Sequence, residues 1–419
     1  MVIYKFGGAS VKDADSVRNA AKIIGDADRQ VLLVVSAMGK TTNKLEKIVE
    51  AHLQKDSRAF ELTEQLKQWH LQIVNSLFGI QEITISERIE EIFAEIYWSI
   101  EAEQVRDFDF EYDQIVSLGE VLSAGILSAY LNHVGVEHTY CDARDLIRTD
   151  STFREANVDW AETQILIERQ LRKLDGRNMI TQGFIAGTSD NYSTTLGREG
   201  SDYTAAILAY CANASEVIIW KDVPGVFNAD PNEFPEAILL PELSYYDAIE
   251  QAYYGASIIH PKTIKPLQNK NIPLRVQSFV NPKLPGTLIS ETYLPETTPT
   301  YILKKDQVLL SITPHDFSFI AEVHLRDIFN LFHQYRVKIN LMQNSALNFT
   351  VCMTLDETTF SQLRKAMEKK YRLRFNTNCV LFTIRHYTEA LFARFSLGKE
   401  ILMEQRSRNT VQFVYRSGE

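Results

Sequence analysis

The sequence predicts an α/β protein with a mainly parallel sheet covered by helices, followed by a smaller α+β region. Three observations support this class. Strand-like and helix-like segments alternate through the first part of the chain, a helix-rich stretch interrupts them, and a proline-rich segment leads into a shorter β-α-β-β-α pattern. The alternation is typical of parallel sheets whose faces are covered by helices.

The chain begins with a predicted β-α-β unit. Residues 1–6 alternate like a strand, residues 17–24 show helical periodicity, and residues 31–35 form an apolar run typical of a buried strand. Later segments continue the pattern: a helix at about 118–131, strands at 139–141 and 179–181, a helix at 203–211 and a strand at 216–220. Together they predict the mainly parallel sheet.

A helical insertion is predicted at about residues 43–109. Helix-forming residues dominate it, and apolar positions recur three and four apart, as at Ile89, Ile92, Phe93 and Ile96. This spacing indicates helices with one apolar face.

A proline-rich stretch is the predicted boundary between two domains. It contains Pro282, Pro285, Pro295 and Pro299. We therefore expect a first domain over residues 1–288, a linker over 289–300 and a second region over 301–419.

The second region is predicted to contain one complete small module and one reduced module. Its first segments are a strand at 308–312, a helix at 321–333, two strands within 338–355 and a helix at 357–371. That order suggests a ferredoxin-like sandwich. Strands at 379–384 and 410–415 follow with little helix-length sequence between them, so a second module would be incomplete.

Composition excludes several classes of protein. A chain of 419 residues with 45% hydrophobic and 23% charged residues is typical of a globular protein with two or three domains. The net charge of -10 argues against nucleic-acid binding. The four cysteines form no CxxC pair and the nine histidines show no metal-binding spacing. With neither a secretory signal nor an apolar run of membrane-spanning length, we expect a cytoplasmic protein without a membrane or structural metal.

The segment TLGREGSDYT, residues 195–204, predicts an anion-binding turn at the start of a helix. Gly197 and Gly200 allow close approach of the backbone, and Arg198 offers a rigid fork of donors. Ser201 or Asp202 can cap the helix, whose first N–H groups also attract anions. A capped helix with a solvated arginine is the alternative.

Other turns carry similar signals. In KFGGAS a strand ends in Gly7 and Gly8, which can expose N–H groups to phosphate, and Lys5 adds a charge; it is not a Walker loop, because the spacing differs. SAMGKTTN follows the second strand, and SLGE places Glu120 at a helix start. The segment WKDVPGVF, residues 220–227, ends a later strand in a proline-glycine turn, and residues 228–231 form another turn. Each of these could instead be an ordinary connection.

Six blocks, taken in order, resemble the signature motifs of aspartate kinases: KFGGAS, VSAMGKTTN, SLGE, TLGREGSDYTAA, WKDVPGVFNADP and YYGASIIHPKTI. The resemblance covers about residues 1–288 as an amino-acid kinase catalytic domain, and the tail resembles the ACT regulatory region of that family. It implies the amino-acid kinase fold followed by a ferredoxin-like ACT region. It also implies transfer of the ATP γ-phosphate to the side-chain carboxylate of L-aspartate, with ATP and Mg²⁺ as cofactors.

The resemblance implies roles for individual residues. The catalytic residues would be Lys5, which offsets charge during transfer, Arg198, which grips the α-carboxylate, and Asp202, which orients the lysine or the metal environment. Aspartate would be bound by Thr42, Glu120, Arg198 and Ser201, with Glu120 at the α-ammonium. The nucleotide would be bound by Lys5, Gly7, Gly8, Ser10, Lys221, Asp222, Phe227 and Asp230.

The implied reaction agrees with elementary chemistry. A side-chain carboxylate with a pKa of about 3.9 is already ionised at neutral pH and needs no general base. Catalysis then consists of positioning and charge neutralisation. Two other hypotheses remain open: a sister amino-acid kinase acting on glutamate, N-acetylglutamate, carbamate or a nucleotide, and a non-catalytic amino-acid sensor.

The chain departs from the family pattern at two positions in the nucleotide site. Ser257 stands where many members have a lysine that contacts ATP, and Asn232 stands where many have arginine. Lys262 and Lys221 are the candidates to replace the missing charge. Glu199 adds a negative charge beside Arg198.

The tail implies regulation and dimerisation. Residues 315–323 and 338–345 resemble the effector-facing segments of lysine-sensitive members, but Asn340 stands where those members tend to carry an acidic residue. That difference weakens the case for lysine as effector. Residues 406–414 resemble the ACT strand that often forms dimer contacts, so a homodimer joined by ACT strands is expected.

Overall fold

The structure is a computed structural model that describes residues 1–79, 83–102, 106–256, 259–292 and 298–417. It divides into two compact units. The first comprises residues 1–226, 239–249 and 257–294, and the second comprises residues 227–238, 250–256 and 295–419. The predicted limits of 1–288, 289–300 and 301–419 remain our proposal for the functional domains.

The first unit is built on a mainly parallel sheet. Its described strands are β1 (Val2–Phe6), β2 (Val31–Val35), β3 (His138–Tyr140), β4 (Asn178–Gln182), β5 (Ile185–Gly187), β6 (Ser193–Thr195), β7 (Val217–Lys221), β8 (Glu242–Ser244), β9 (Leu274–Ser278) and β10 (Thr287–Ser290). Eight of them form one sheet in the order β3-β4-β2-β1-β7-β9-β10-β8, while β5 and β6 pair separately. Neighbours in the large sheet are parallel except β9 and β10. The predicted α/β class is confirmed.

Burial explains why β1 and β2 lie near the centre of the sheet. Every residue of VIYKF and of VLLVV is buried, as expected for parallel strands covered on both faces. The carboxyl ends of β1, β2, β4 and β7 meet at one edge because the strands run in the same direction. Lys5, opposite Val34 of β2 and Ile219 of β7, therefore lies at that edge.

Helices cover the sheet of the first unit. They are a 3₁₀ turn (Gly8–Val11), α1 (Ala14–Gly25), α2 (Thr41–Leu53), α3 (Arg58–Phe78), α4 (Ile83–Glu101), α5 (Phe108–Val116), α6 (Leu118–His133), α7 (Ala143–Leu146), α8 (Trp160–Leu174), α9 (Gly200–Ala212), α10 (Tyr245–Tyr254) and α11 (Pro261–Asn269). The last residues of α10 belong to the second unit.

The predicted apolar spacing in the insertion is confirmed. Ile89, Ile92, Phe93 and Ile96 are buried in the core of the first unit, on one face of α4. The alternating exposure along the helix is that of an amphipathic element, which gains its stability from packing.

One stretch of the described residues has the length and composition of a membrane span. It is the 26-residue stretch Phe108–His133, in which 83% of the most apolar window is buried inside the structure. Core helices of globular domains satisfy the same test, so the stretch is weak evidence for a span.

The second unit contains an antiparallel sheet. Its elements are β11 (Thr300–Pro314), α12 (Glu322–Gln334), β12 (Lys338–Asn344), β13 (Phe349–Thr354), α13 (Glu357–Met367), β14 (Tyr371–Arg385), α14 (Glu389–Ser396), β15 (Ile401–Arg406) and β16 (Thr410–Arg416). The described strands are ordered β12-β13-β11-β14-β16-β15. The two longest strands, β11 and β14, pair along most of their length, with register shifts between Lys304 and Leu309.

The β-α-β-β-α order predicted for the second region is confirmed, but two expectations for its end were wrong. The segment between the last two predicted strands holds a helix, α14, and a strand, β15, where little helix was expected. Thr388 begins the helix, since its side chain accepts a hydrogen bond from the N–H of Leu391. Moreover, β14 begins at Tyr371, where the helix was expected to end.

Candidate active site

A cavity of about 400 Å³ opens in the first unit, where the carboxyl ends of the central strands meet the loops that follow them. Such positions are where open α/β sheets bind ligands. Its lining residues are Lys5, Gly8, Ser36, Ala37, Gly39, Thr42, Tyr112, Glu120, Arg154, Phe184, Gly197, Arg198, Glu199, Gly200, Ser201 and Asp202. Three cations and three carboxylates therefore share a small space.

The central interaction of the cavity is an ion pair between Lys5 and Asp202. Lys5 is the fourth residue of β1, and Asp202 lies in the first turn of α9. Their side-chain atoms Nζ and Oδ1 are 2.6 Å apart, with 11% and 5% of the side chains exposed. A pair this buried holds the lysine ammonium in one place, because the solvent that would screen it is excluded.

Glu120 places a buried carboxyl group in the cavity. It lies in the first turn of α6 and is 3% exposed. Burial raises its pKa to about 8, while the charge of Lys5 and a hydrogen bond from the backbone of Ala37 oppose the rise. Its Oε2 atom has no hydrogen-bond partner among the described residues. A buried acceptor without a donor is the feature expected of a group that binds a cationic ligand.

The turn that enters α9 brings Arg198 and Ser201 to the cavity. Gly197 has a φ of +76° and Glu199 a φ of 53°, so the chain makes a left-handed turn before α9 begins at Gly200. The Glu199 carboxylate is tied down, since Oε2 accepts a hydrogen bond from the N–H of His260 at 2.8 Å. Glu199, the predicted negative charge beside Arg198, therefore also holds the residue that precedes α11 in place.

Gly8 permits a close backbone approach. A Cβ atom on this residue would lie 2.7 Å from the carbonyl oxygen of Ala37 and 2.8 Å from that of Gly39. The N–H of Gly39 also donates to the carbonyl of Gly8 at 3.0 Å. The loops after β1 and β2 are thus held together at the cavity wall.

Replacing Gly8 with alanine is expected to lower turnover by about tenfold or more, because both clashing atoms belong to the backbone and cannot rotate away. Steady-state kinetics of the variant would measure the effect. Gly125→Ala is the matched control. Gly125 lies in α6, and apart from its own helix backbone no atom of the described residues lies within 4 Å of an added Cβ; alanine also favours helix. Equal turnover in the two variants would contradict the view that turnover depends on the close contact of the Gly8 backbone with Ala37 and Gly39.

The structure brings all four residues predicted to bind the acceptor, Thr42, Glu120, Arg198 and Ser201, to one cavity. Lys5, Gly8 and Asp202 also line it. The other residues predicted to bind the nucleotide are not in this lining. Among them, Ser10 donates its hydroxyl to the carbonyl of Trp220 at 3.1 Å. Gly7, Lys221 and Asp222 belong to the first unit, whereas Phe227 and Asp230 belong to the second.

The next residues to locate are the two that depart from the family pattern, Ser257 and Asn232, and the candidate replacement Lys262. Ser257 lies outside the described residues. Lys262 donates from Nζ to the carbonyl of Leu196 at 3.3 Å and lies 3.7 Å from Glu155 Oε1. Asn232 donates from its side chain to Asp230 Oδ1 at 2.9 Å. Lys262 therefore supports the outside of the 195–204 turn and does not line the cavity.

Sequence reasoning missed several lining residues, of which Tyr112 and Arg154 are the most informative. Tyr112 lies on α5 and donates its hydroxyl to Glu46 Oε1 at 2.9 Å. Arg154 lies in the loop before α8 with a φ of 68°. Neither belongs to a recognisable motif; only the proximity of Tyr112 to the SLGE block could have suggested it.

Comparisons with known proteins agree with this architecture. The model of the amino acid kinase family matches residues 1–278. Lysine-sensitive aspartokinase 3 of Escherichia coli K12 is 33% identical over 364 residues, which are 85% of this chain and 79% of that protein. Aspartokinase 3, chloroplastic, of Arabidopsis thaliana is 31% identical, with 85% of this chain and 65% of that protein covered. The match spans 42% of a bifunctional aspartokinase/homoserine dehydrogenase of the same plant.

Solved structures extend the likeness to both units. Aspartokinase III of E. coli in complex with lysine and aspartate has a TM-score of 0.85 at 27% identity, covering 99% of this chain and 95% of that one. The same enzyme in complex with aspartate and ADP has a TM-score of 0.82 at 27% identity, covering 99% and 96%. The C-terminal antiparallel region resembles ACT-type regulatory domains. The chain belongs to the amino acid kinase family and, within it, to the aspartokinases.

Proposed function

We propose that the protein transfers the γ-phosphate of ATP to the side-chain carboxylate of L-aspartate, giving 4-phospho-L-aspartate and ADP. The observation that carries the proposal is the pairing of Glu120 and Arg198 in one cavity with the Lys5–Asp202 ion pair. The product would enter the biosynthesis of lysine, threonine and methionine, as the kinship with aspartokinases supports.

The acceptor is recognised by complementary charge. L-Aspartate carries two carboxylates and one ammonium, so a specific site needs a cation and an anion at a fixed separation. Glu120 receives the ammonium, because its buried Oε2 has no donor among the described residues. Arg198 receives the α-carboxylate, and the hydroxyls of Thr42 and Ser201 donate further hydrogen bonds.

Phosphoryl transfer requires positioning and charge neutralisation. An oxygen of the aspartate side chain attacks the γ-phosphorus, the bond from that phosphorus to the β,γ-bridging oxygen breaks, and ADP leaves with the electron pair. Lys5 offsets the charge that develops on the transferred group, and Asp202 holds the ammonium in position. The acceptor carboxylate is ionised at neutral pH, so the cavity needs no general base.

The nucleotide and Mg²⁺ complete the proposed site. Gly7, Gly8 and Ser10 follow β1 and would face the phosphates, and Lys221, Asp222, Phe227 and Asp230 are proposed for the adenosine. Among the described residues there is no cluster of three or more metal-binding side chains. Asp202 would contribute a carboxylate oxygen to a Mg²⁺ ion whose other ligands would be phosphate oxygens and water, the ligands that this ion prefers. Bound Mg²⁺ would neutralise charge on the β- and γ-phosphates.

The surroundings of Asn340 in the second unit disfavour free lysine as an effector. Asn340 accepts a hydrogen bond from Lys304 Nζ at 2.7 Å and donates to Gln307 at 2.7 Å and Thr354 at 2.8 Å. Its amide is therefore engaged within the chain, and an ammonium already occupies its oxygen. This arrangement disfavours a second ammonium at the same position.

Dimerisation through the ACT region remains part of the proposal. The predicted dimer strand, β16, pairs with β14 on one side and β15 on the other, so its backbone is not a free edge. The described edges of this sheet are β12 and β15. The last residues of β12, Met342 to Asn344, are exposed, which favours β12 for strand addition. Light scattering at micromolar concentration should give a dimer mass; a monomer would contradict it.

A cytoplasmic location agrees with four free, buried cysteines.

An ADP-release assay across acceptors tests the function. With ATP and Mg²⁺, we expect turnover with L-aspartate and background rates with L-glutamate, N-acetylglutamate, carbamate and UMP. Preference for one of the others would favour a sister kinase. Binding of aspartate without ADP release would favour the amino-acid sensor.

A further inference from the structure

Arg154 brings a second arginine into the cavity and does so with an unusual backbone. It lines the cavity together with Arg198. Its φ of 68° lies in the left-handed region, which is costly for a residue other than glycine. Such a conformation persists only where the surroundings enforce it, and it often marks a binding site.

Asp113 enforces this conformation. This residue of α5 is completely buried, and its Oδ2 accepts the N–H of Arg154 at 2.9 Å and the N–H of Thr195 at 2.8 Å. Its Oδ1 accepts the hydroxyl of Thr195 at 2.7 Å. One carboxylate therefore joins the Arg154 segment to the residue that opens the 195–204 turn. Burial raises the pKa of Asp113 to about 6, so it is mostly ionised at neutral pH despite its surroundings.

The Arg154 segment also lies directly on the turn that carries Arg198. A Cβ atom on Gly197 would be 3.2 Å from Glu155 Cγ and 3.5 Å from the carbonyl oxygen of Arg154. The N–H of Ala156 donates to the carbonyl of Thr195 at 3.0 Å. The two arginines are thus carried by adjacent, interlocked segments of backbone.

The guanidinium of Arg154 is oriented but retains donors for a ligand. It lies 5.0 Å from the ring centre of Phe108 and 4.6 Å from that of Tyr112. Among the described residues its side chain makes one hydrogen bond, from Nη1 to Asp109 at 3.3 Å. Both side chains of that pair are exposed, at 39% and 56%, so the pair is weak. An arginine has five N–H donors, and most of them stay available.

We propose that Arg154 binds the α-carboxylate of the acceptor amino acid together with Arg198, and that Asp113 is the positioning residue for both segments. The inference rests on the proposed function and deepens it. Two guanidinium groups give the small carboxylate more donors than one fork can supply, and the second cation raises the attraction for an acceptor that carries two negative charges.

Arg154→Gly is the main test, because glycine adopts a φ of +68° without strain and leaves the bond to Asp113 in place. We expect the KM for L-aspartate to rise about tenfold, the loss typical of one hydrogen bond to a charged group. The kcat and the KM for ATP should stay within about twofold. Arg154→Lys keeps the charge and should recover part of the affinity. Arg172→Ala, which removes an exposed charge on α8, is the control.

A ligand without the α-carboxylate identifies the group that Arg154 contacts. The inhibition constant of L-aspartate α-amide should be the same for the wild type and Arg154→Gly. An equal loss for this amide would overturn the assignment to the α-carboxylate, and an unchanged KM for aspartate in both Arg154 variants would overturn the inference itself. A wild-type protein without aspartate-dependent ADP release would instead overturn the proposed function, and this inference with it.

Discussion

Replacing Lys5 with methionine is expected to lower kcat by about 10³-fold, the order of loss seen when one preorganised donor is removed from a charged transition state. Methionine preserves much of the length and the apolar stem but removes the ammonium that lies 2.6 Å from Asp202. Because this ammonium acts on the transferred phosphoryl group, the KM for aspartate should change much less than kcat. Steady-state kinetics with ATP, Mg²⁺ and L-aspartate would measure both.

The variant also leaves Asp202 buried without its partner, which costs about 3 kcal/mol of stability in typical buried pairs. Lys5→Met combined with Asp202→Asn removes that cost, so it should recover the melting temperature and not the turnover. Lys22→Ala, an exposed position on α1, is the control for loss of a positive charge. Turnover within threefold of the wild type in both Lys5 variants would show that Lys5 has no part in transfer.

The second large effect is expected at Glu120. Glu120→Gln should raise the KM for L-aspartate by about 100-fold, because a buried charge pair with the ligand's ammonium is replaced by a neutral contact. Since the pKa of Glu120 is raised to about 8, the ligand-free protein holds this carboxyl mostly protonated at neutral pH. The glutamine variant resembles that neutral form, so its fold should be intact.

The same pKa predicts the pH dependence of binding. The ammonium of the acceptor needs the ionised carboxylate, so the KM for aspartate should fall as pH rises from about 6.5 to 8.5 and then level off. In Glu120→Gln the fall in the KM for aspartate over this pH range should be absent, whereas Glu50→Gln, at an exposed position of α2, should keep it. A pH-independent KM in the wild type would contradict the assignment of Glu120 to the ammonium.

Stability should show the linked effect with a defined sign. The pKa of Glu120 is higher in the folded protein than the ordinary value of 4.5. The stabilisation from its protonated form is therefore full below pH 4.5 and is lost as the pH rises through about 8. The melting temperature of Glu120→Gln should therefore lack the part of the pH dependence that Glu120 causes in the wild type.

The parts of the fold that could be predicted from sequence are those whose pattern is local. β1 and β2 are apolar runs, α4 has regular apolar spacing, and the residues of α9 follow a glycine-rich turn. In contrast, α14 is only eight residues long and was missed, although Thr388 supplies a cap. The short strands β5 and β6 were missed because each spans only three residues, which is too short for an alternating apolar pattern to show.

The same distinction applies to the site. Lys5, Glu120 and Arg198 lie in blocks that resemble the signature motifs of aspartate kinases, and that resemblance implied their roles. Arg154 could not be found in this way, because its place depends on Asp113 and Thr195, which are 82 residues apart in the sequence. Lys262 is the opposite case. Its position in the sequence made it a candidate to replace the lysine that is absent at Ser257, but in the structure it contacts Leu196 and Glu155 outside the cavity.

Trapping the product with hydroxylamine tests the central claim most directly, because an acyl phosphate reacts to give a hydroxamate whereas a phosphate ester does not. The wild type, supplied with ATP, Mg²⁺ and L-aspartate, should form the β-hydroxamate of aspartate in the same amount as ADP, and the Lys5→Met variant should form almost none. ADP release without hydroxamate, or hydroxamate formation that is equal in the two proteins, would contradict the account.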